Sequence, residues 1–146
     1  MRSAPVELQE IQYPFLIERF ALRTDSGGAG QHRGGLGVEL TYRALQKAVT
    51  NVNCERTKDP PWGLHGGKPG AVNEAVLVRP DGSEQKLKKA TGVPMEPGDR
   101  LTFRTAGGGG FGDPAARDPA AVADDIASGY VSPAAALREY GAKTPC

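Results

Sequence analysis

Residues suited to metal or nucleophilic chemistry are scarce in this chain, which has two histidines and two cysteines in 146 residues. Cys54 stands in a strand-like stretch and Cys146 at the extreme end, with no CxxC between them, so no disulfide framework is expected and a reducing, cytoplasmic compartment is. His32 and His65 have no companion at HxxxH or CxxH spacing, so no metal is expected to be held wholly within the chain. An excess of either charge is also missing. Eighteen Lys and Arg against 17 Asp and Glu leave a net charge of +1, without the electrostatic footprint of a nucleic-acid or membrane-surface binder. No run approaches the roughly 20 apolar residues of a membrane span, and MRSAPVELQEIQYP lacks the apolar core of a signal peptide, so a soluble, unprocessed protein is expected. No serine lies in GxSxG and no acid pair is marked by spacing; no catalytic residue is assigned, and no catalysis is expected from this chain alone.

Glycine and proline are abundant instead, with 20 and 12 residues. They cluster in three blocks, DSGGAGQHRGGLG (25–37), PPWGLHGGKPG (60–70) and PGDRLTFRTAGGGGFGDP (97–114). Residues without a Cβ let backbones approach closely, so such blocks between apolar runs indicate a specified, loop-rich β domain. Glycine-rich segments can also form polyproline-like extended helices packed side by side, which carry no side-chain period.

Between the blocks, Ile11 to Arg23 reads as a strand with Pro14 near its start. Leu36 to Ala44 puts Leu36, Val38, Leu40 and Tyr42 on one face, and Lys47 to Asn53 continues in the same style after a hairpin around Leu45 and Gln46. Val72 to Arg79 leads through the turn Pro80-Asp81-Gly82 to a returning strand at Gln85 to Leu87. Leu101, Phe103 and Thr105 alternate in a last strand that runs into Gly107 to Gly110. Beyond it, Asp118-Pro119 opens a helix through Ala120 to Ser128 that Gly129 closes, and Ser132-Pro133 opens another, Ala134 to Tyr140, that Gly141 closes. Val122, Ile126, Leu137 and Tyr140 are the expected packing residues. The fold class is therefore mainly β, a small antiparallel domain, barrel-like or sandwich, with Gly-rich loops (1–113). A tail of two short helices (114–146) belongs to the same unit and is expected to dock on the β part or on another chain.

GGKP at 66–69 fails as a phosphate loop, because the first required glycine falls on Trp62 and the Ser or Thr on Pro69. Gly28 to Gly37 fails as a dinucleotide loop for its spacing and the strand that follows. Gly107, Gly108, Gly109 and Gly110 either present amides to an anion or serve close packing. Cys54 reads as a small buried hydrophobe. Trp62 is either a lid over the core or an interface anchor. Arg33, Arg56 and Arg104 are expected to bond carbonyls of the glycine frame first and a ligand second. Arg33, Arg56, Trp62, His65 and Gly107 to Gly110 are thus the candidates for a shared site or an interface.

The ordered blocks PVELQEIQYPFLIERFALRTDSGGAGQHRGGLG, DPPWGLHGGKPG, MEPGDRLTFRTAGGGGFGDP and GYVSPAAALREYG resemble the C-terminal region of large subunits of the hydantoinase B, 5-oxoprolinase and acetone carboxylase alpha type, from about Pro5 to Gly141. Two positions depart from that pattern: Cys54 stands where a GDR-like triplet is expected, and His65 where an aromatic is frequent. Such blocks end a much longer polypeptide in the family, so the chain is expected to be a detached C-terminal module, similar to the small subunit of acetophenone carboxylase. The resemblance implies ATP-dependent carboxylation of an aromatic ketone with bicarbonate to a 3-oxo acid. ATP and a divalent metal are then expected on partner subunits, with larger hydantoinase A-like and hydantoinase B-like chains completing a hetero-oligomer in which this chain is structural. The alternative is a hydantoinase or oxoprolinase amidohydrolase, ATP-dependent or not, in which Arg33, Arg56, His65 and the Gly107–Gly110 loop face a shared active site. A solitary small-ligand binding module is the third reading.

Overall fold

The computed structural model describes residues 4–141, and they form two compact units. The first unit is built from the chain up to Ala21, Glu39–Glu55 and Glu74–Arg104. Its elements are α1 (Val6–Gln12), β1 (Phe15–Leu22), β2 (Val38–Ala44), β3 (Ala48–Asn53), β4 (Glu74–Val78), β5 (Glu84–Leu87), β6 (Lys89–Met95) and β7 (Arg100–Arg104); β1 and β2 each extend one residue beyond it. Seven antiparallel strands make an open five-stranded sheet in the order β1-β2-β7-β4-β5 and a two-stranded sheet of β3 and β6.

Register explains the core. Tyr42 lies opposite Leu101 and Leu40 opposite Phe103, while β4 sets Leu77 beside Leu101 and Ala75 beside Phe103. Because alternate residues share a face, these side chains point one way, and the small sheet answers with Val52, Val93 and Met95 in the same cluster. Leu77 at its centre is 0% exposed. The arrangement is an open sandwich; neither sheet closes into a barrel.

The hairpin expected around Leu45 and Gln46 does not form, since β2 pairs with β7 and β3 with β6. The backbone groups that would start it are already engaged: Ala44 N–H donates to Asp99 O, Gly98 N–H to Ala44 O, and Leu45 N–H to Pro14 O. The β6–β7 turn is itself pinned by the fully buried Asp99 carboxylate, which accepts from Arg79 Nη1 and from Glu96 N–H. Strand β6 escaped the sequence reading because KATGVPM carries a glycine and a proline. Gly92, at φ 70°, sits where the β3–β6 register shifts, and its N–H donates to Asn51 Oδ1. Ile11 and Gln12, read as strand, close helix α1, which buries none of its residues and so lacks the apolar stripe that marks a helix in sequence.

Glu39 of β2 accepts from Arg104 Nε at 2.8 Å and pairs with Arg19 Nε at 2.6 Å. The Arg104 hydrogen bond, helped by both guanidinium charges against a burial cost, holds its carboxyl below the ordinary value of 4.5. A lowered folded pKa gives stability that is complete above 4.5 and lost as pH falls through the folded value. Glu39→Gln is therefore expected to cost up to about 1 kcal/mol at neutral pH and nothing once Glu39 is protonated. Urea midpoints measured from neutral pH to below 4.5 should show the two proteins converging on the acid side.

The second unit comprises Leu22–Val38, Arg56–Asn73 and the chain from Thr105 onward. It contains a 3-10 turn (Pro114–Ala116) and the helices α2 (Pro119–Ala127) and α3 (Pro133–Tyr140). Capping follows the sequence: Asp118 accepts from Ala120 N–H, Ser132 from Ala135 N–H, and Gly141 ends α3 at φ 66°. Val122, Val131, Ala135 and Ala136 form a second core with Ile126 and Tyr140 packed against it. Leu137, expected to pack, is 58% exposed on the outer side of α3. The tail docks on the glycine segments: Asp25 N–H donates to Tyr130 O, Thr24 Oγ1 to Gly129 O, and Ser132 N–H to Asp25 Oδ1.

Candidate functional site

All eight residues singled out from the sequence fall in the second unit, where the three glycine segments are woven together. The 107–112 segment runs through the middle. Gly28 N–H donates to Gly108 O, Gly108 N–H to Gly35 O, Gly110 N–H to Lys68 O and Leu64 N–H to Gly110 O. His32 and Leu64 form isolated bridges with Phe111, and no regular ladder develops between the segments. At the tightest crossings side chains have no room: a Cβ on Gly107 would lie 1.8 Å from Ser26 O, and one on Gly109 1.8 Å from Trp62 O. This is the packing logic of side-by-side extended glycine chains. The amides of Gly107, Gly108 and Gly110 donate to Ala71, Gly35 and Lys68 carbonyls, so they do not fit a phosphate cradle.

Arg33 is drawn to the helical tail. Its Nε and Nη2 donate to the two Asp125 carboxylate oxygens at 3.0 and 3.2 Å, and its Nη1 to Gly34 O at 2.8 Å. Arg117 donates to the same carboxylate through Nη2 at 2.7 Å and to Gln31 O through Nη1 at 3.2 Å. The guanidiniums lie near the Tyr130 and Tyr140 rings, 5.5 and 5.8 Å from the centroids. Burial pushes the Tyr140 phenol above its ordinary value. The Arg33, Asp125 and Arg117 side chains are only 16%, 9% and 12% exposed, so this triad clamps helix α2 to the glycine weave.

The other candidates form a separate, exposed group. Arg56, in the left-handed region at φ 47°, lies 5.9 Å from the Trp62 ring centroid, and Trp62 is 70% exposed. His65, also left-handed at φ 50°, tilts against Phe111 at 4.9 Å, with His32 on the same ring at 6.2 Å. Trp62 thus stands out from the surface rather than closing over the core. Arg104, in the first unit, bonds Glu39 and lies 3.7 Å from Glu74 instead of a glycine carbonyl. Cys54, also in the first unit, packs against the core there, and burial raises its thiol pKa, so it is not poised as a nucleophile. Cys146 lies outside the described residues. Among the described residues no three His, Cys, Asp or Glu side chains are grouped to hold a metal ion, and no helix is long and apolar enough to cross a membrane.

Sequence reasoning missed Asp125 and Arg117. The signal was present for Asp125: it falls on the apolar stripe of α2, three residues after Val122 and one before Ile126, where a carboxylate needs a buried cation.

Residues 1–114, which include all three glycine blocks, match the family model for hydantoinase B/oxoprolinase. The chain belongs to the hydantoinase B/oxoprolinase family. This member is 39% identical to the caprolactamase subunit beta of Pseudomonas jessenii over 146 residues, covering 97% of the chain and 25% of that protein. The crystal structure of ATP-dependent caprolactamase from Pseudomonas jessenii superposes with a TM-score of 0.87 at 38% identity, over 95% of this chain and 25% of that one. The nucleotide-free structure of acetone carboxylase, from work on ATP-dependent acetone carboxylation, gives 0.76 at 27% identity, over 96% and 23%. The hydantoinase B-family chain thus spans about a quarter of the length of the first curated relatives it matches.

Proposed function

We propose that this chain is a structural, non-catalytic module of an ATP-dependent enzyme complex that opens a cyclic amide. The observation that carries the reading is the interlocked glycine weave, whose Gly28, Gly107, Gly108 and Gly110 amides and Asp125 carboxylate are bonded within the unit while Trp62 and His65 stand exposed. Such a body is suited to bracing a larger assembly. Likeness to the caprolactamase subunit beta over nearly the whole chain supports a lactam or related cyclic amide as the substrate class. ATP and its divalent metal belong, in this reading, to a hydantoinase A-like partner, and a hydantoinase B-like partner supplies the substrate site; the complex is cytoplasmic. A second reading, ATP-dependent carboxylation of a ketone such as acetophenone, is favoured by the likeness to acetone carboxylase.

Native mass spectrometry of the tagged protein from its own cells is expected to show it with larger polypeptides, and a clean monomer would refute the assignment. The purified complex is then expected to release ADP with a cyclic amide; ADP release only with a ketone and bicarbonate would move the assignment to the second reading. Arg56→Ala and His65→Ala should leave turnover within about threefold when assembly is intact, since a brace makes no interaction specific to the transition state. A loss of several orders of magnitude with the complex unchanged would place these two residues in a shared active site.

A further inference from the structure

The core face of the five-stranded sheet is covered unevenly. Over its β7, β4 and β5 strands, Val52, Val93 and Met95 of the small sheet seal it in one cluster with Leu77, Leu87 and Leu101. At the β1–β2 end the rings of Phe15, Tyr42 and Phe103 follow one another edge to face, with centroids 4.8 and 6.2 Å apart, and Tyr13 stacks on Phe15 at 5.6 Å. The cover stops there. What remains is a groove of about 390 Å³ within the first unit, lined by these rings and walled by residues 48–51 of β3.

Three features mark this groove as built to be filled. No charged side chain lines it, so its occupant is apolar. Neither α1 nor β1, which lead the chain past it, buries a single residue, and Tyr13 and Val49 at its rim are 53% and 70% exposed. Strand β3 pairs with β6 alone among the described strands, which leaves its other edge unpaired, and four consecutive residues of β3 form the groove wall. An unpaired edge beside an apolar slot accepts an extended chain, whose main chain supplies the hydrogen bonds while alternate side chains fill the slot. The caprolactamase subunit beta carries about three quarters of its length beyond what this chain matches.

We propose that the groove receives an apolar strand from the hydantoinase B-type polypeptide that makes up that remaining length. The strand pairs with the free edge of β3 and seats a large apolar side chain against Tyr42 and Phe103. This rests on the multi-chain assembly proposed above and adds the surface through which it forms.

The test is amide hydrogen exchange on the tagged protein, alone and in the complex isolated from its own cells. Amides at 48–51 are expected to exchange at least tenfold more slowly in the complex; unchanged exchange with the partner bound overturns the proposal. Tyr13→Asp and Val49→Asp place charge on side chains that are already exposed, so circular dichroism should be unaltered while the co-purifying partner falls at least tenfold. Leu137→Asp, on the outer side of α3, serves as the control that keeps the partner. Full retention of the partner by both groove variants would also overturn the proposal, as would protection of 48–51 in a dimer of this chain alone. If the wild-type chain captures no larger polypeptide, the assembly reading itself fails, an outcome distinct from capture through another surface.

Discussion

Gly107→Ala is expected to abolish the folded second unit. The added methyl would lie 1.8 Å from Ser26 O, 2.3 Å from its carbonyl carbon and 2.9 Å from Gly27 N, all backbone atoms that no rotamer change can move aside. Ordinary overpacking in a core costs about 1–3 kcal/mol because side chains shift. Here the main chain itself has to separate, and Gly107 N–H to Ala71 O and Ala71 N–H to Ser26 O would go with it. The loss should match or exceed the roughly 5 kcal/mol at the low end of domain stability, and soluble yield should collapse. Gly35→Ala is the internal comparison, because a Cβ there meets nothing within 4 Å; it should change stability by about 1 kcal/mol or less. Guanidinium denaturation followed by circular dichroism checks both, and a folded Gly107→Ala protein with an unchanged midpoint would show that the weave yields more easily than its geometry implies.

Asp125→Ala should be among the most damaging changes to a charged side chain. Arg33 and Arg117 share this one carboxylate, and all three side chains are largely buried. Removing the acid leaves two guanidiniums facing each other out of water, for which a loss of about 3–5 kcal/mol is expected. Replacing either arginine by alanine should cost less, since the other still neutralises Asp125. Urea unfolding of the three variants reads the order directly; equal losses would mean that the guanidiniums act independently through Gly34 O and Gln31 O.

Legibility in the sequence differed between the units for a physical reason. Strands β1 to β5 and β7, and both tail helices, were visible because each strand is an apolar or alternating run set off by turn residues and a cap residue fixes an end of each helix; Asp118, Ser132 and Gly141 act as expected. Strand β6 was hidden by Gly92 and Pro94, and α1 by having no buried face. The sheet change after Ala44 was invisible because it is decided by Asp99 and Pro14, residues distant in sequence. The family resemblance rested on the glycine blocks and agrees with the family match. Their geometry was not readable, since glycine carries no side chain to report a period. Arg33 was chosen as a structural arginine, but its partner Asp125 lies 92 positions away and could be found only through its misfit on an apolar stripe.

The weave also constrains the order in which the chain can acquire its shape. Arg23 bonds carbonyls 49 and 82 positions downstream, at Val72 and Thr105, and the bonds of the 107–112 segment to the other two glycine segments close loops of comparable size. Chain-closure entropy must be overcome before any of these crossings repays it, which puts such topologies in the millisecond-to-second range of folding times. Leu22–Val38 and Arg56–Asn73 can bond to each other through Lys68 to Ala29 and Ala71 to Ser26, but their crossings with the 107–112 segment cannot close until that part of the chain has been synthesised. Until those crossings close, the donors and acceptors of the glycine segments are open to other chains, so aggregation competes with folding over the time the last segment needs to arrive.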